Sequence, residues 1–137
     1  MMRISKRAAV TGLVAAAMTA GTLVTAGPAS AATYGGQCGA GYGVVNQRTV
    51  TGKGTVYLTY NSSNGYNCVV TIRNSPGAAV RMFAGIARQS DPAWGAVDEG
   101  NYTTYAGPVY RYAKGSCVTW GGAIGSTYAG GENTNCG

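Results

Sequence analysis

From Gly54 to Arg73 the chain reads GTVYLTYNSSNGYNCVVTIR, and its apolar and polar positions alternate with a period of two. Val56, Leu58 and Tyr60 share one side and Thr55, Tyr57 and Thr59 the other, the pattern of a strand with one buried face. The loop Asn61-Ser62-Ser63-Asn64-Gly65 interrupts it, and the alternation resumes at Tyr66, Cys68, Val70 and Ile72. Setting Tyr60 opposite Tyr66 places Leu58 against Cys68 and Val56 against Val70, so one apolar face runs through both strands. A slip that puts Leu58 against Asn67 breaks that face. The stretch predicts a β-hairpin closed by Asn64-Gly65, with Cys68 aimed into the core and Tyr57 pointing outward beside Thr55 and Thr59.

The same signals recur on either side. Thr33 to Gly43 is a glycine-rich arm pinned by Cys38, and a first strand forms about Val44-Val45, turned into the hairpin by Gly52-Lys53-Gly54. Asn74-Ser75-Pro76-Gly77 is a turn. Val80, Met82, Ala84 and Ile86 then alternate with Arg81, Phe83 and Gly85; the short length and the glycine favour a strand over a helix. Gln89 to Gly100 predicts a long connection with turns at Asp91-Pro92 and Asp98-Glu99-Gly100. Tyr102–Tyr105 and Val109–Tyr112 are strand-like, and Pro108 between them, unable to donate to a ladder, predicts a bulge or an exposed edge. Lys114-Gly115 turns the chain into Ser116–Trp120, with Tyr112 facing either Cys117 or Ser116. Gly121-Gly122 ends that strand, and Thr127-Tyr128-Ala129 gives a last short one. No helical stripe and no internal repeat is visible, so the pattern predicts an all-β fold, a small antiparallel sandwich or barrel.

Residues 1–31 carry Arg3, Lys6 and Arg7, then an uncharged run, then Gly27-Pro28-Ala29-Ser30-Ala31, in which Ala29 and Ala31 have the spacing of a signal-peptidase site. This predicts a cleaved secretory signal peptide over 1–31 and a single secreted domain over 32–137. A permanent anchor is the competing reading, but the Ala, Gly and Thr content is weakly hydrophobic and a cleavage site follows. Cys38 follows Gly36-Gln37, unlike a lipid-attachment site, and no second long apolar run offers a spanning helix. Three of the ten basic residues lie in the leader, which leaves seven cations against four acids, a net +3. Those seven are scattered from Arg48 to Lys114, so no nucleic-acid partner is expected.

All four cysteines, Cys38, Cys68, Cys117 and Cys136, fall after the leader, and an even count in a small exported chain predicts two disulfides. With no CxxC and no histidine, metal binding is not expected and no cofactor is implied. Three connectivities are open. Cys38–Cys68 with Cys117–Cys136 is the expected one, because each bridge ties a chain end to a nearby strand.

Catalysis is poorly supplied. Without histidine the commonest general base is missing, and the only carboxylates are Asp91, Asp98, Glu99 and Glu132. Asp98 and Glu99 are adjacent and diverge on a strand, so a non-enzyme is expected. Binding is better supplied, by ten tyrosines with Trp94 and Trp120. Tyr57, read as outward-facing, and Trp94, in the long connection, are the candidate binding residues, since exposed aromatics pair an apolar body with a polar tip.

The strings GTVYLTYNSSNGYNCVVTIRN, DEGNYTTYAGPVY and KGSCVTWGG, with the closing NCG, resemble the spore-associated protein A family of small secreted proteins from spore-forming filamentous bacteria. The resemblance spans nearly all of 32–137 and is weakest from Arg81 to Trp94. It implies a secreted protein found with hyphae and spores, and carries over only the cysteines, as structural bridges. The expected function is therefore a non-catalytic protein of the spore or hyphal surface, whose partner is wall material, a surface protein or itself. A soluble carbohydrate-binding module or enzyme inhibitor is the alternative.

Overall fold

The computed structural model describes residues 32–137; the predicted signal peptide lies outside the described residues. Eight strands follow one another: β1 (Gly43–Val50), β2 (Gly54–Asn61), β3 (Tyr66–Arg73), β4 (Val80–Arg88), β5 (Ala96–Tyr102), β6 (Tyr105–Tyr112), β7 (Val118–Ile124) and β8 (Thr127–Thr134). They form two antiparallel four-stranded sheets, ordered β1-β2-β3-β6 and β8-β7-β4-β5. The expected all-β sandwich is thus the fold. Between the layers lie Val56, Leu58, Val69, Met82, Ala84, Ile86, Val109, Val118, Trp120 and Ile124. Each such side chain taken fully from water contributes about 1.5–3 kcal/mol, which makes this layer the main stabilising element.

The β2–β3 hairpin forms, but its register is one residue from the expected one. Leu58 opposes Val69, Tyr57 opposes Val70, Thr59 opposes Cys68 and Asn61 opposes Tyr66. Gly65, at φ 78°, donates its N–H to Asn61 O at 2.8 Å and closes a four-residue loop. Val69 and Val70 are alike, so either could face inward. The shift turns Thr71 into the core, where its hydroxyl is satisfied by Phe83 O at 2.8 Å. A Cβ on Gly122 of β7 would fall on that Thr71 oxygen, so the inward threonine needs a glycine opposite it.

The same shift places Cys68, Val70 and Ile72 on the outer face of the first sheet. They are buried there, because the arm from Ala32 to Tyr42 crosses that face and packs with Tyr57 in a second apolar cluster. Tyr57 points to this outer face, opposite Leu58, but the arm covers it there. It is 6% exposed, its ring lies 5.8 Å from that of Tyr34, and its hydroxyl donates to Ala32 O. Thr55 and Thr59 are buried with it. The disulfides are Cys38–Cys68, which clips the arm to β3, and Cys117–Cys136, which clips the C-terminal end to the start of β7.

Three further expectations are corrected. The connection after β4 covers only 89–95; Asp98-Glu99-Gly100 lies within β5, and the chain reverses at Thr103-Thr104. Lys114-Gly115 joins strands of different sheets and not a hairpin pair, since β7 is ordered beside β4 and β8. Gly121-Gly122 is interior to β7, which runs on to Ile124. The interruption expected at Pro108 is present: β6 is a sheet edge, and its register with β3 shifts between Val69 and Thr71. Arg73 fastens two of the crossings between sheets, donating to Ala78 O at 2.9 Å and to Thr103 O at 3.1 Å.

Candidate functional site

The carboxylates were the only acid–base candidates, and the fold separates them. Glu99, on the outer face of β5, pairs with Arg81 at 3.5 Å in solvent. Its neighbour Asp98 points the other way, accepting the Tyr102 hydroxyl and the Gly107 N–H at 2.8 Å. That hydrogen bond raises the Tyr102 hydroxyl above its ordinary pKa, with burial adding to it. Asp91 lies in the 89–95 connection and is engaged by Arg111 through two bonds, at 2.9 and 2.6 Å, and by the Arg88 N–H at 2.8 Å. Glu132 stands exposed on β8.

The Arg111 hydrogen bonds, followed by the Arg88 N–H, hold the Asp91 carboxyl at about 2, below an ordinary 3.8. A depressed carboxylate pKa stabilises the folded state above the unfolded value and loses that contribution as pH falls toward the folded one. The 89–95 connection should therefore loosen between about pH 4 and pH 2, ahead of the rest of the domain. Trp94 emission followed by acid titration checks this, and Asp91→Asn should remove the step. A titration unchanged by that substitution would contradict the assignment.

The aromatic residues divide into two surfaces. On the outer face of the first sheet Tyr42 packs against Tyr110 and Tyr66 against Tyr112, both edge-on with centroids 5.6 and 5.7 Å apart. The Tyr110 hydroxyl donates to Cys38 O at 2.9 Å, so this group mainly fastens the arm. The second surface is the outer face of the β8-β7-β4-β5 sheet. There Gly85, Gly121 and Gly130 stand opposite one another across β4, β7 and β8. A Cβ on Gly121 would strike the Tyr128 hydroxyl; one on Gly85 would come within 3.1 Å of the Trp94 ring. The bare backbone thus seats two rings, and both stay open to solvent, Trp94 at 41% and Tyr128 at 55% exposure. Phe83 packs edge-on against Trp94 at 5.3 Å.

Beside Trp94 the 89–95 connection and β8 border a shallow, open hollow of about 300 Å³, whose polar lining includes Arg88, Gln89, Thr119 and Asn133. Trp94 therefore sits in a concave, mixed apolar and polar environment, and Tyr57 does not. Sequence reasoning missed Tyr128 and the glycine row. The available signal was a glycine in each of three strands, and it is interpretable only once the strands' order is known. Among the described residues no group of three acids or cysteines could hold a metal ion, and no helix is long and apolar enough to cross a membrane.

The chain is similar to spore-associated protein A of Streptomyces coelicolor, 50% identical over an alignment of 127 residues that covers 88% of this chain and 82% of that protein. No family model and no solved structure matches it.

Proposed function

The chain belongs to the spore-associated protein A family, and from that premise we propose that it is exported and acts, without catalysing a reaction, at the spore or hyphal surface. The observation that carries this reading is the relative's spore association at half identity over most of both chains. Two features support it. Two disulfides suit an oxidising, extracellular setting. Three of the four acids that general acid–base chemistry would use are engaged elsewhere: Asp91 with Arg111, Asp98 with Tyr102 and Glu99 with Arg81. The partner on this reading is wall material or another surface protein.

Fractionation of a culture producing the full chain with a C-terminal tag tests it. The protein should lack residues 1–31 and stay with washed hyphae and spores. Recovery in the medium would favour a soluble module or inhibitor instead, and recovery from the cytoplasm would overturn export.

A further inference from the structure

The hollow beside Trp94 brings together a concave shape, an exposed aromatic wall and several polar side chains. Its volume, about 300 Å³, lies at the lower end of ligand-site sizes. It is large enough for a sugar ring or two. Trp94 forms the apolar wall and is supported from behind by Gly85 and Phe83, so the ring is held in place before anything binds. Opposite it, Thr119 Oγ1 accepts the Asn133 N–H at 3.2 Å and keeps its own proton to donate. Gln89 and Asn133 add amide groups that both donate and accept. Asp91, the one acid in the lining, is already held by Arg111 and Arg88, so its charge does not dominate the hollow.

We propose that this hollow is a glycan-binding site, in which a pyranose ring lays its C–H face on Trp94 while its hydroxyls bond to Gln89, Thr119 and Asn133. The match is chemical. A lipid chain offers no partner for the polar side chains, and a nucleic acid calls for a cluster of cations where the lining has one beside an ion-paired acid. A pyranose presents one apolar face and a rim of hydroxyls that both donate and accept. Tyr128, on the same outer face, extends the aromatic surface across β7 and suits a glycan chain more than a lone sugar. The inference rests on the preceding reading only in taking the hollow to bind a glycan and not to cleave it.

The test is co-sedimentation of the purified, oxidised protein with insoluble chitin, cellulose and peptidoglycan sacculi, each assayed also for released soluble sugar. Wild type should pellet with at least one of them. Trp94→Ala should weaken association about tenfold or more, the equivalent of about 1.4 kcal/mol of ring contact, and Trp94→Phe should lose less. Thr119→Val keeps the side chain's shape and deletes the hydroxyl; it should weaken binding several-fold, and it serves if Trp94→Ala does not fold. Retention on sacculi alone identifies wall glycan as the source, and retention on chitin or cellulose alone an external polysaccharide. Wild type left in the supernatant with all three polymers, or Trp94→Ala and Thr119→Val both retained like wild type, overturns the site. Released sugar overturns the non-catalytic reading and leaves the site standing.

Discussion

Under a mild thiol reductant the native protein should lose Cys117–Cys136 first and keep Cys38–Cys68 until the domain opens. Thiol–disulfide exchange needs a thiolate to reach a sulfur. Cys136 is exposed and Cys117 half-buried, whereas Cys38 and Cys68 lie under the arm and beside Val70. The two bridges span 30 and 19 residues. Restriction of the unfolded chain over loops of those lengths is worth between about 3 and 4 kcal/mol each. Against a total of about 5–15 kcal/mol for a domain, opening both removes a large share of the stability or all of it. Replacing Cys38 and Cys68 together by Ala should cost more than the loop term alone, because the arm that covers Tyr57, Val70 and Ile72 is then held only by non-covalent contacts, among them Ala32 N–H to Asn74 Oδ1 and the Tyr42–Tyr110 ring pair. Timed reduction with alkylation and peptide mapping gives the order, and urea unfolding gives the magnitudes. Simultaneous release of both pairs from the native protein would mean that the arm does not shield Cys68.

What the sequence made legible followed from period and punctuation. The hairpin, the β4 strand and the two-layer class all rest on alternation bounded by Asn, Gly and Pro. What it hid has one physical cause in each case. A strand covered on both faces loses its alternation as a guide, so Val69-Val70 fits either register, and the arm that buries Tyr57 comes from far along the chain. Glycine was read as a terminator at Gly121-Gly122, although each glycine there makes room for another element: Gly122 for Thr71 in the core, Gly121 for Tyr128 outside. Asp98-Glu99-Gly100 has turn composition yet stays extended, because β5 pairs along β4 from Ala96 to Tyr102. Trp94 was legible as a loop aromatic. The hollow beside it was not, since Thr119 and Asn133 reach it only through the pairing of β7 with β8.

Trp120→Ala should be the most damaging single substitution, costing about 3–5 kcal/mol, the usual range for emptying a large aromatic site in a core. Trp120 is fully buried on the inner face of β7, in the cluster that holds Leu58, Ile86 and Val118. Its ring also serves both margins of the sandwich. The Nε1–H donates to Thr134 Oγ1 of β8 at 2.8 Å, and the Arg48 guanidinium of β1 lies 5.3 Å from the ring centroid. Truncation therefore leaves a cavity and also unties β8 and β1 from the centre, where Trp120 is the one fully buried aromatic among the described residues. Trp120→Phe separates the two effects: it refills most of the volume, and the lost hydrogen bond should cost about 0.5–1.5 kcal/mol. Trp94→Ala, at an exposed site, should stay within about 1 kcal/mol of wild type. Urea midpoints at constant m-value compare the three. If Trp120→Ala were no worse than Trp94→Ala, then β7 would be facing the wrong way, and the glycine row that seats Trp94 and Tyr128 would be turned inward with it.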